Sequence, residues 1–541
     1  MVVGSMACRT REARGDRGDI DVSRDPDLLA AHLEDASQIA GAHADGVAHP
    51  KSEADIAALL RAHSRVLVVG AQSSVTGGAT PFGEVVVSTA RLNRIIRLDA
   101  RRATVQAGLP LATLLDALRA RGATYPPTPT FTGAFVGGTV ATNAAGAATF
   151  KYGSTRGWVE ALTVVLANGE VLDLVRGECR ASGGAFTIRT SGGDIHVPVP
   201  DYTMPDVPKR SAGYFARPDM DLVDLFVGAE GTLGVITEVT VRVVSPTPAL
   251  AVAFVLCPSE QAGIALAAAL REASRETWRT QDPRGIDAAA IEHMDARSLT
   301  ILREDGVPSR LNVTLSRDAA VGLLVQLELP PGTSSAAAYD EISGALADDA
   351  PDTALVRFCR LLDRFGVLDA TELAAPDDRR RVEQLIALRE AIATGVNHRI
   401  ALAKHTTDGR IAKVSGDMIV PFDRFEEMMG IYRRGLESRG LDYVIYGHIS
   451  DGNVHPNVLP RSFADVVAAR EAMLDFGREV TRLGGCPLAE HGVGRNPVKQ
   501  ALLRQLYGDR GIEQMRAVKR ALDPHGKLAP GVIFPYLSLP A

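Results

Sequence analysis

Only five of the 541 residues are cysteine, and Cys8, Cys179, Cys257, Cys359 and Cys486 include no CxxC pair. That spacing argues against a zinc ribbon or an iron–sulfur module, leaves no built-in cluster to relay electrons, and fits a reducing cytosol. Long hydrophobic runs are also missing. No stretch approaches the ~20 apolar residues of a membrane span, and the first residues lack the apolar core of a signal peptide. Nor is there a charge excess: 59 Lys and Arg against 65 Asp and Glu leave −6, which gives no reason to expect nucleic-acid binding. The expected location is cytoplasmic, with peripheral attachment to a membrane left open. What remains is 46% apolar and 23% charged, the composition of a globular enzyme with a sizeable core.

What the chain does have is three small-residue turns. The longest runs from Pro126 to Trp158, PPTPTFTGAFVGGTVATNAAGAATFKYGSTRGW, and carries no charge before Lys151. Burying such side chains gains little, while ordering the glycines costs entropy. A ligand against the main chain would compensate, because closely approaching N–H groups make a concavity suited to phosphate. A plain glycine-rich loop between strands is the simpler reading of this stretch alone. Upstream, the strand pattern Val66–Val69 runs straight into Gly70-Ala71-Gln72-Ser73-Ser74-Val75-Thr76-Gly77-Gly78. A strand followed by a Gly/Ser turn presents backbone donors to an anion. It is neither GxGxxG nor a P-loop. Downstream, Glu230-Gly231-Thr232-Leu233-Gly234-Val235-Ile236 is the third such turn.

These stretches, with Lys151-Tyr152-Gly153-Ser154-Thr155-Arg156 between them, resemble the FAD-binding domain of the vanillyl-alcohol oxidase/PCMH flavoproteins. The C-terminal half resembles the FAD-linked oxidase branch, which includes D-lactate, D-2-hydroxyglutarate and glycolate dehydrogenases. The resemblance spans roughly residues 30 to 535. It implies non-covalent FAD with its pyrophosphate wrapped by Gly70, Ala71, Gln72, Ser73, Ser74, Thr76 and Gly77. Gly137, Gly138, Thr142, Asn143, Gly146 and Thr155 would line the flavin side, and Glu230, Gly231, Gly234 and Ile236 the adenosine half. Gly70-Ala71-Gln72 departs from the family's usual three glycines.

The expected fold is α+β. A disordered leader over 1–26 precedes a two-subdomain PCMH-type FAD-binding domain over 27–246. A cap domain over 247–480 carries an antiparallel sheet covered by helices, and 481–541 completes the site and returns onto the FAD domain. Local signals support this. Ser52 reads as an N-cap before acids and apolar residues at helical spacing, and Leu111–Arg119 as an amphipathic helix. Glu84–Ser88, Ala103–Ala107, Ala249–Leu256 and Gly322–Leu329 read as strands, and Leu402 to Arg439 as alternating strand and helix. In the final turn, Ala529 stands where the family usually has asparagine.

Chemistry concentrates in Tyr446-Gly447-His448-Ile449-Ser450-Asp451-Gly452-Asn453-Val454-His455, two strand patterns about an Asp-Gly turn. A hairpin lets two histidines seven residues apart converge. Alone, they are more often structural. Further on, Glu490-His491 supplies a carboxylate beside an imidazole, and two histidines with a carboxylate suit Zn²⁺, Mn²⁺ or Fe²⁺. The resemblance assigns His448, His455 and Glu490 as metal ligands, with Zn²⁺ first. It makes His491 the base at the substrate hydroxyl, has Asn453 orient the substrate, and gives Arg389 and Lys413 to its carboxylate. The implied reaction is oxidation of a D-2-hydroxy acid, D-lactate-like, to the 2-oxo acid. Electrons would leave to a separate quinone, cytochrome or electron-transfer flavoprotein, and a homodimer stays open. The competing readings are a non-redox transferase of the alkylglycerone-phosphate synthase type, an idle flavin-binding subunit and a flavin-free metal hydrolase. The last leaves the three turns unexplained.

Overall fold

The computed structural model describes residues 8–16 and 20–535; residues 1–7 and 17–19 of the expected leader, and 536–541, lie outside the described residues. The chain divides into two units. The first holds residues up to Gly146, Gly153–Ser245 and those from Leu488 onward, and the second holds Ala147–Tyr152 and Pro246–Pro487. Among the described residues, no helix is long and apolar enough to cross a membrane.

The first unit has two sheets. In the smaller, Phe82–Ser88 lies between His43–Ala48 and Val66–Val69, all parallel. The helix Glu53–Ala62 covers it as its sequence dictates. Ser52 Oγ accepts from Asp55 N (3.2 Å), and the Asp55 carboxylate accepts from Lys51 N (2.9 Å). Ile56, Leu59 and Leu60 then enter a core with Val66, Val87, Val165 and Val235. The larger, mixed sheet runs in the order Gly193–Pro198, Ala185–Thr190, Cys8–Arg11, Val171–Val175, Val159–Val165, Val235–Arg242, Arg102–Gln106, Ile95–Leu98. The helix Leu111–Arg119 buries Leu111, Leu114 and Leu118, spaced three and four apart along one face.

Two expectations fail at the N-terminus. Within the leader expected to be disordered, Cys8–Arg11 is a strand, parallel to Ala185–Thr190 and antiparallel to Val171–Val175. Its composition is polar, but the slot between two strands satisfies its backbone, and Arg11 pairs with Glu53 (2.7 Å) and Asp173 (2.5 Å). The second concerns the cysteines, whose spacing fits a reducing cytosol. Cys8 and Cys179 form a disulfide with Cα atoms 5.9 Å apart, 171 residues distant along the chain. Separation in sequence says nothing about separation across a sheet.

The C-terminal return occurs as expected. After the helix Pro497–Leu522, Lys527–Ala529 runs beside Val66: Val66 N donates to Lys527 O (2.9 Å) and Ala529 N to Val66 O (2.8 Å). Lys519, on that helix, donates to Thr232 O and Leu528 O (2.7 Å each) and pairs with Asp523 (2.6 Å). Ala529 has φ +43°, a left-handed conformation that asparagine tolerates and that costs alanine about 1–2 kcal/mol.

The second unit is built on an antiparallel sheet in the order Thr371–Ala374, Ala249–Cys257, Val321–Leu329, Ala288–Met294, Tyr443–His448, Asn453–Val458, Val414–Ser415, with Met418–Ile419 also on Asn453–Val458. The helix Arg379–Thr406 lays Leu385, Leu388, Ile392, Val396 and Ile400 into a core with Val252, Phe254, Met294 and Leu324. Where alternating strand and helix is expected from Leu402 to Arg439, that helix continues to Thr406. Only the two-residue strands Val414–Ser415 and Met418–Ile419 precede the helix Phe425–Glu437. Ala147–Tyr152 belongs here, although the sequence reading gives it to the FAD-binding domain. Lys151 Nζ sits 2.5 Å from both Asp287 and Glu328, and Tyr152 OH donates to Glu328 (2.6 Å).

Candidate functional site

In the first unit the small-residue turns meet. The 70–78 turn leaves the end of Val66–Val69, and the N–H groups of Ala71, Ser73, Ser74, Gly77 and Gly78 make no hydrogen bond among the described residues. A row of backbone donors with nothing to bind fits a diphosphate. Gln72 explains its own departure from glycine. At φ +51°, its side-chain Nε2 donates to His32 O (2.9 Å) and Ala79 O (3.0 Å), closing the turn with bonds a glycine cannot make. Thr76 N is held by Ser74 Oγ (3.2 Å).

The second turn forms the helix Val136–Ala141. Gly137 packs so closely that a Cβ would stand 2.6 Å from Ala107 Cβ, while a Cβ on Gly138 would meet nothing within 4 Å. Side by side, one glycine permits close packing and the other leaves an open face for a flat ring system. Other expected cofactor residues are occupied inside the protein. Thr142 Oγ1 donates to Gly138 O (3.1 Å), and Thr155 Oγ1 to Ala144 O (2.8 Å). Asn143 Oδ1 accepts from Arg156 N (2.9 Å). Gly146 packs against Thr128 O, Gly234 against Val164, and Ile236 pairs with Val164 in the sheet.

Glu230 ties the turns together. Its N donates to Ala141 O (2.8 Å), and its carboxylate accepts from Val493 N and Gly494 N (2.8 Å each). Gly494 in turn packs against Thr76 O, where no side chain fits, and Arg495 N donates to Thr76 O (3.0 Å). Glu230 is therefore the clasp between the second turn and the segment just after Glu490-His491. Burial pushes its carboxyl up to about 7, the two N–H donors notwithstanding. A carboxyl with a folded pKa above its unfolded value holds a proton in the native state between roughly pH 4.5 and 7, so its contribution to stability is lost as pH rises through that window. Wild type is therefore expected to gain on Glu230→Gln by at most about 3 kcal/mol as pH falls from 8 to 5, read as the difference in unfolding midpoint. A difference constant with pH would show that Glu230 does not titrate there.

Also in this unit, Glu490 and Lys209 form a buried pair at 3.1 Å, with 6% and 0% of their side chains exposed. His491, 38% exposed, has Nε2 3.6 Å from Glu490 Oε1. Lys209 escaped the sequence reading because nothing in Pro208-Lys209-Arg210 marks it as buried.

The second unit positions the histidines. Tyr443–His448 and Asn453–Val458 form the expected hairpin, with Gly452 at φ +82° in its turn. Tyr446 lies opposite His455 and His448 opposite Asn453, so the period of two places all four on one face. The His448 and His455 rings stand 5.7 Å apart and nearly perpendicular. Asp295 caps the helix Ala296–Glu304 through Ser298 N (2.7 Å) and accepts from Ile445 N (2.8 Å), which fixes the hairpin's first strand; burial raises its carboxyl to about 6.

Glu292 is the residue the sequence reading missed. It is 1% exposed in the wholly buried strand Ala288–Met294. One of its oxygens bonds His448 Nδ1 and the other accepts from Arg389 Nε (3.0 Å). With Nδ1 so engaged, Nε2 is the nitrogen that His448 would offer to a metal, the arrangement by which a carboxylate sets a metal-binding imidazole. A lone glutamate in the apolar run AAAIEHM was the available signal, since a buried carboxylate needs a partner. Asp417 Oδ1 stands 3.8 Å from His455 Nδ1, too far for a direct hydrogen bond. Asn453, expected to orient substrate, is fully buried and donates to Met418 O (2.8 Å), so its amide holds the neighbouring strand. Lys413 is exposed and donates to Asn397 (3.0 Å), eight residues beyond Arg389 on one helix, or ~12 Å along its axis.

Two family models match the chain. The family model for an FAD binding domain matches residues 44–174, and that for FAD linked oxidases, C-terminal domain, matches 253–533. A Bos taurus protein named D-2-hydroxyglutarate dehydrogenase, mitochondrial, is 30% identical over 90% of this chain and 76% of its own length. An Archaeoglobus fulgidus D-lactate dehydrogenase is 26% identical over 90% of each chain. A solved structure of alkyldihydroxyacetonephosphate synthase shares the fold, with a TM-score of 0.54 at 14% identity over 94% of this chain and 82% of its own.

Proposed function

Because the chain belongs to the FAD-linked oxidases, we propose that it oxidises a D-2-hydroxy acid to the 2-oxo acid with FAD as the electron acceptor. The observation that carries this reading is Glu292, whose single buried carboxylate sets both the imidazole of His448 and the guanidinium of Arg389. The same carboxylate thus orients a metal ligand and a candidate carboxylate anchor. The names of the relatives, dehydrogenases of D-2-hydroxyglutarate and D-lactate, support the substrate class.

In this reading bound FAD supplies the hydride acceptor, a property of the cofactor itself. His448, His455 and Glu490 hold a divalent metal, Zn²⁺ first and Mn²⁺ or Fe²⁺ acceptable to the same donors, which supplies Lewis-acid polarisation of the substrate oxygens. His491 takes the hydroxyl proton while the Cα–H bond gives up its electron pair as hydride, so the alcohol loses two electrons and two hydrogens overall. Arg389 and Lys413 receive carboxylate, the first through a planar fork steered by Glu292 and the second through a point charge. Asn453 acts by fixing the hairpin that carries both histidines. Lys209, buried against Glu490, offsets its charge. A separate electron acceptor completes turnover.

The purified protein should be yellow and should release its FAD into the supernatant on acid precipitation, as FAD held without a covalent bond would. A colourless protein that binds no FAD on titration would overturn the reading.

A further inference from the structure

The first unit contains a cleft of about 330 Å³ lined by four arginines, Arg156, Arg176, Arg210 and Arg217, against one carboxylate, Asp224. Three of the guanidiniums gather around one ring: Arg156, Arg217 and Arg210 lie 4.3, 5.5 and 5.9 Å from the centre of Phe215. Like charges crowd here, and the one lining acid is shared. Asp224 Oδ1 accepts from Arg176 (3.0 Å) and stands 3.6 Å from Arg156. Arg210 donates to Pro205 O (2.7 Å) and stands 4.0 Å from the exposed Asp206.

Two observations show that the cluster is incomplete as a structural device. Arg156 spends its Nη atoms on the carbonyls of Asp224 and Val227, yet its buried Nε donates to nothing among the described residues. A buried donor without an acceptor costs about 1–3 kcal/mol. Arg217 is exposed at the rim, and its side chain makes no hydrogen bond or ion pair among the described residues, its ring contact with Phe215 aside. Burial, with Arg210 and Arg176 adding to it, lowers the Arg156 guanidinium to about 10. In the lining itself, four guanidiniums face one carboxylate. Arginine forks match phosphate oxygens, and a dianion offsets this excess better than a monocarboxylate does.

We propose that this cleft binds a phosphate group, carried by a small monoester or free, as a site separate from the turns that receive FAD. Arg217 and Arg210 grip the anion at the mouth, and Phe215 with Arg156 backs it. The cleft touches the flavin-side turn through Asn143, which lines it and bonds Arg156 N. An anion held there therefore sits against the cofactor domain without needing the cofactor's own donors.

The test is calorimetric titration of the full-length, FAD-loaded protein with inorganic phosphate in low-chloride buffer, followed by AMP as a competitor. The expected result is saturable binding at one site, weakened roughly 10-fold or more in Arg217→Ala, with FAD content and the visible flavin spectrum unchanged. Because Arg217 has no ion pair to lose, the variant should fold, and Arg210→Gln gives a second, independent reading. Displacement of phosphate by AMP would identify a monoester ligand, and failure to displace it free phosphate; both support the site. The proposal is overturned by an absence of saturable binding, by equal affinity in both variants, or by phosphate expelling FAD, which would assign the anion to the cofactor's own site.

Discussion

His491→Asn is expected to slow reduction of the flavin by a D-2-hydroxy acid by about 10²–10⁴-fold, the usual loss on removing a positioned general base. Asparagine keeps a polar side chain of similar reach but cannot accept the proton. The rest of the site should be indifferent to the change. His491 is 38% exposed, and Glu490, 3.6 Å from it, remains paired with Lys209. FAD content, metal content and substrate affinity should therefore stay near wild type. Rapid mixing under anaerobic conditions reads the reduction step alone. An unchanged rate would remove His491 from the mechanism, and a loss of FAD or metal would show that it holds structure.

Glu292→Gln should produce the second largest effect, on binding. Glutamine has one oxygen where glutamate has two, so it cannot accept from His448 and Arg389 together. Loss of such a supporting carboxylate typically costs about 10–100-fold in metal affinity. The same substitution leaves Arg389, 16% exposed, without its buried counter-charge, so KM for the acid should rise as well. Both changes are expected with FAD bound as in wild type, because Glu292 belongs to the second unit. Metal content by elemental analysis and KM from initial rates check them. Wild-type values for both would show that Glu292 is only a buried salt bridge.

Much of this was legible in local sequence. The Ser52 cap, the Leu111–Arg119 helix and the hairpin about Asp451-Gly452 follow from short-range rules, and each lies where those rules put it. What was not legible depends on partners distant in sequence. The polar residues Cys8–Arg11 become a strand only because Ala185–Thr190 and Val171–Val175 offer both edges. Ala147–Tyr152 leaves its neighbours for the second unit through Lys151, whose partners Asp287 and Glu328 lie more than a hundred residues on. Within the site, the histidines declared themselves by pattern. The carboxylate that sets His448, Glu292, and the lysine behind Glu490 did not, since a supporting residue has no motif of its own.

This chain is expected to pass hydride from a D-2-hydroxy acid to its own FAD. Anaerobic addition of D-lactate and D-2-hydroxyglutarate to the FAD-loaded protein, followed in the visible flavin band, tests it most directly. At least one D-acid should bleach the band with one equivalent of 2-oxo acid formed per flavin, and the L-enantiomers should not. A flavin that stays oxidised with both D-acids, in protein shown to contain FAD and metal, would contradict the account.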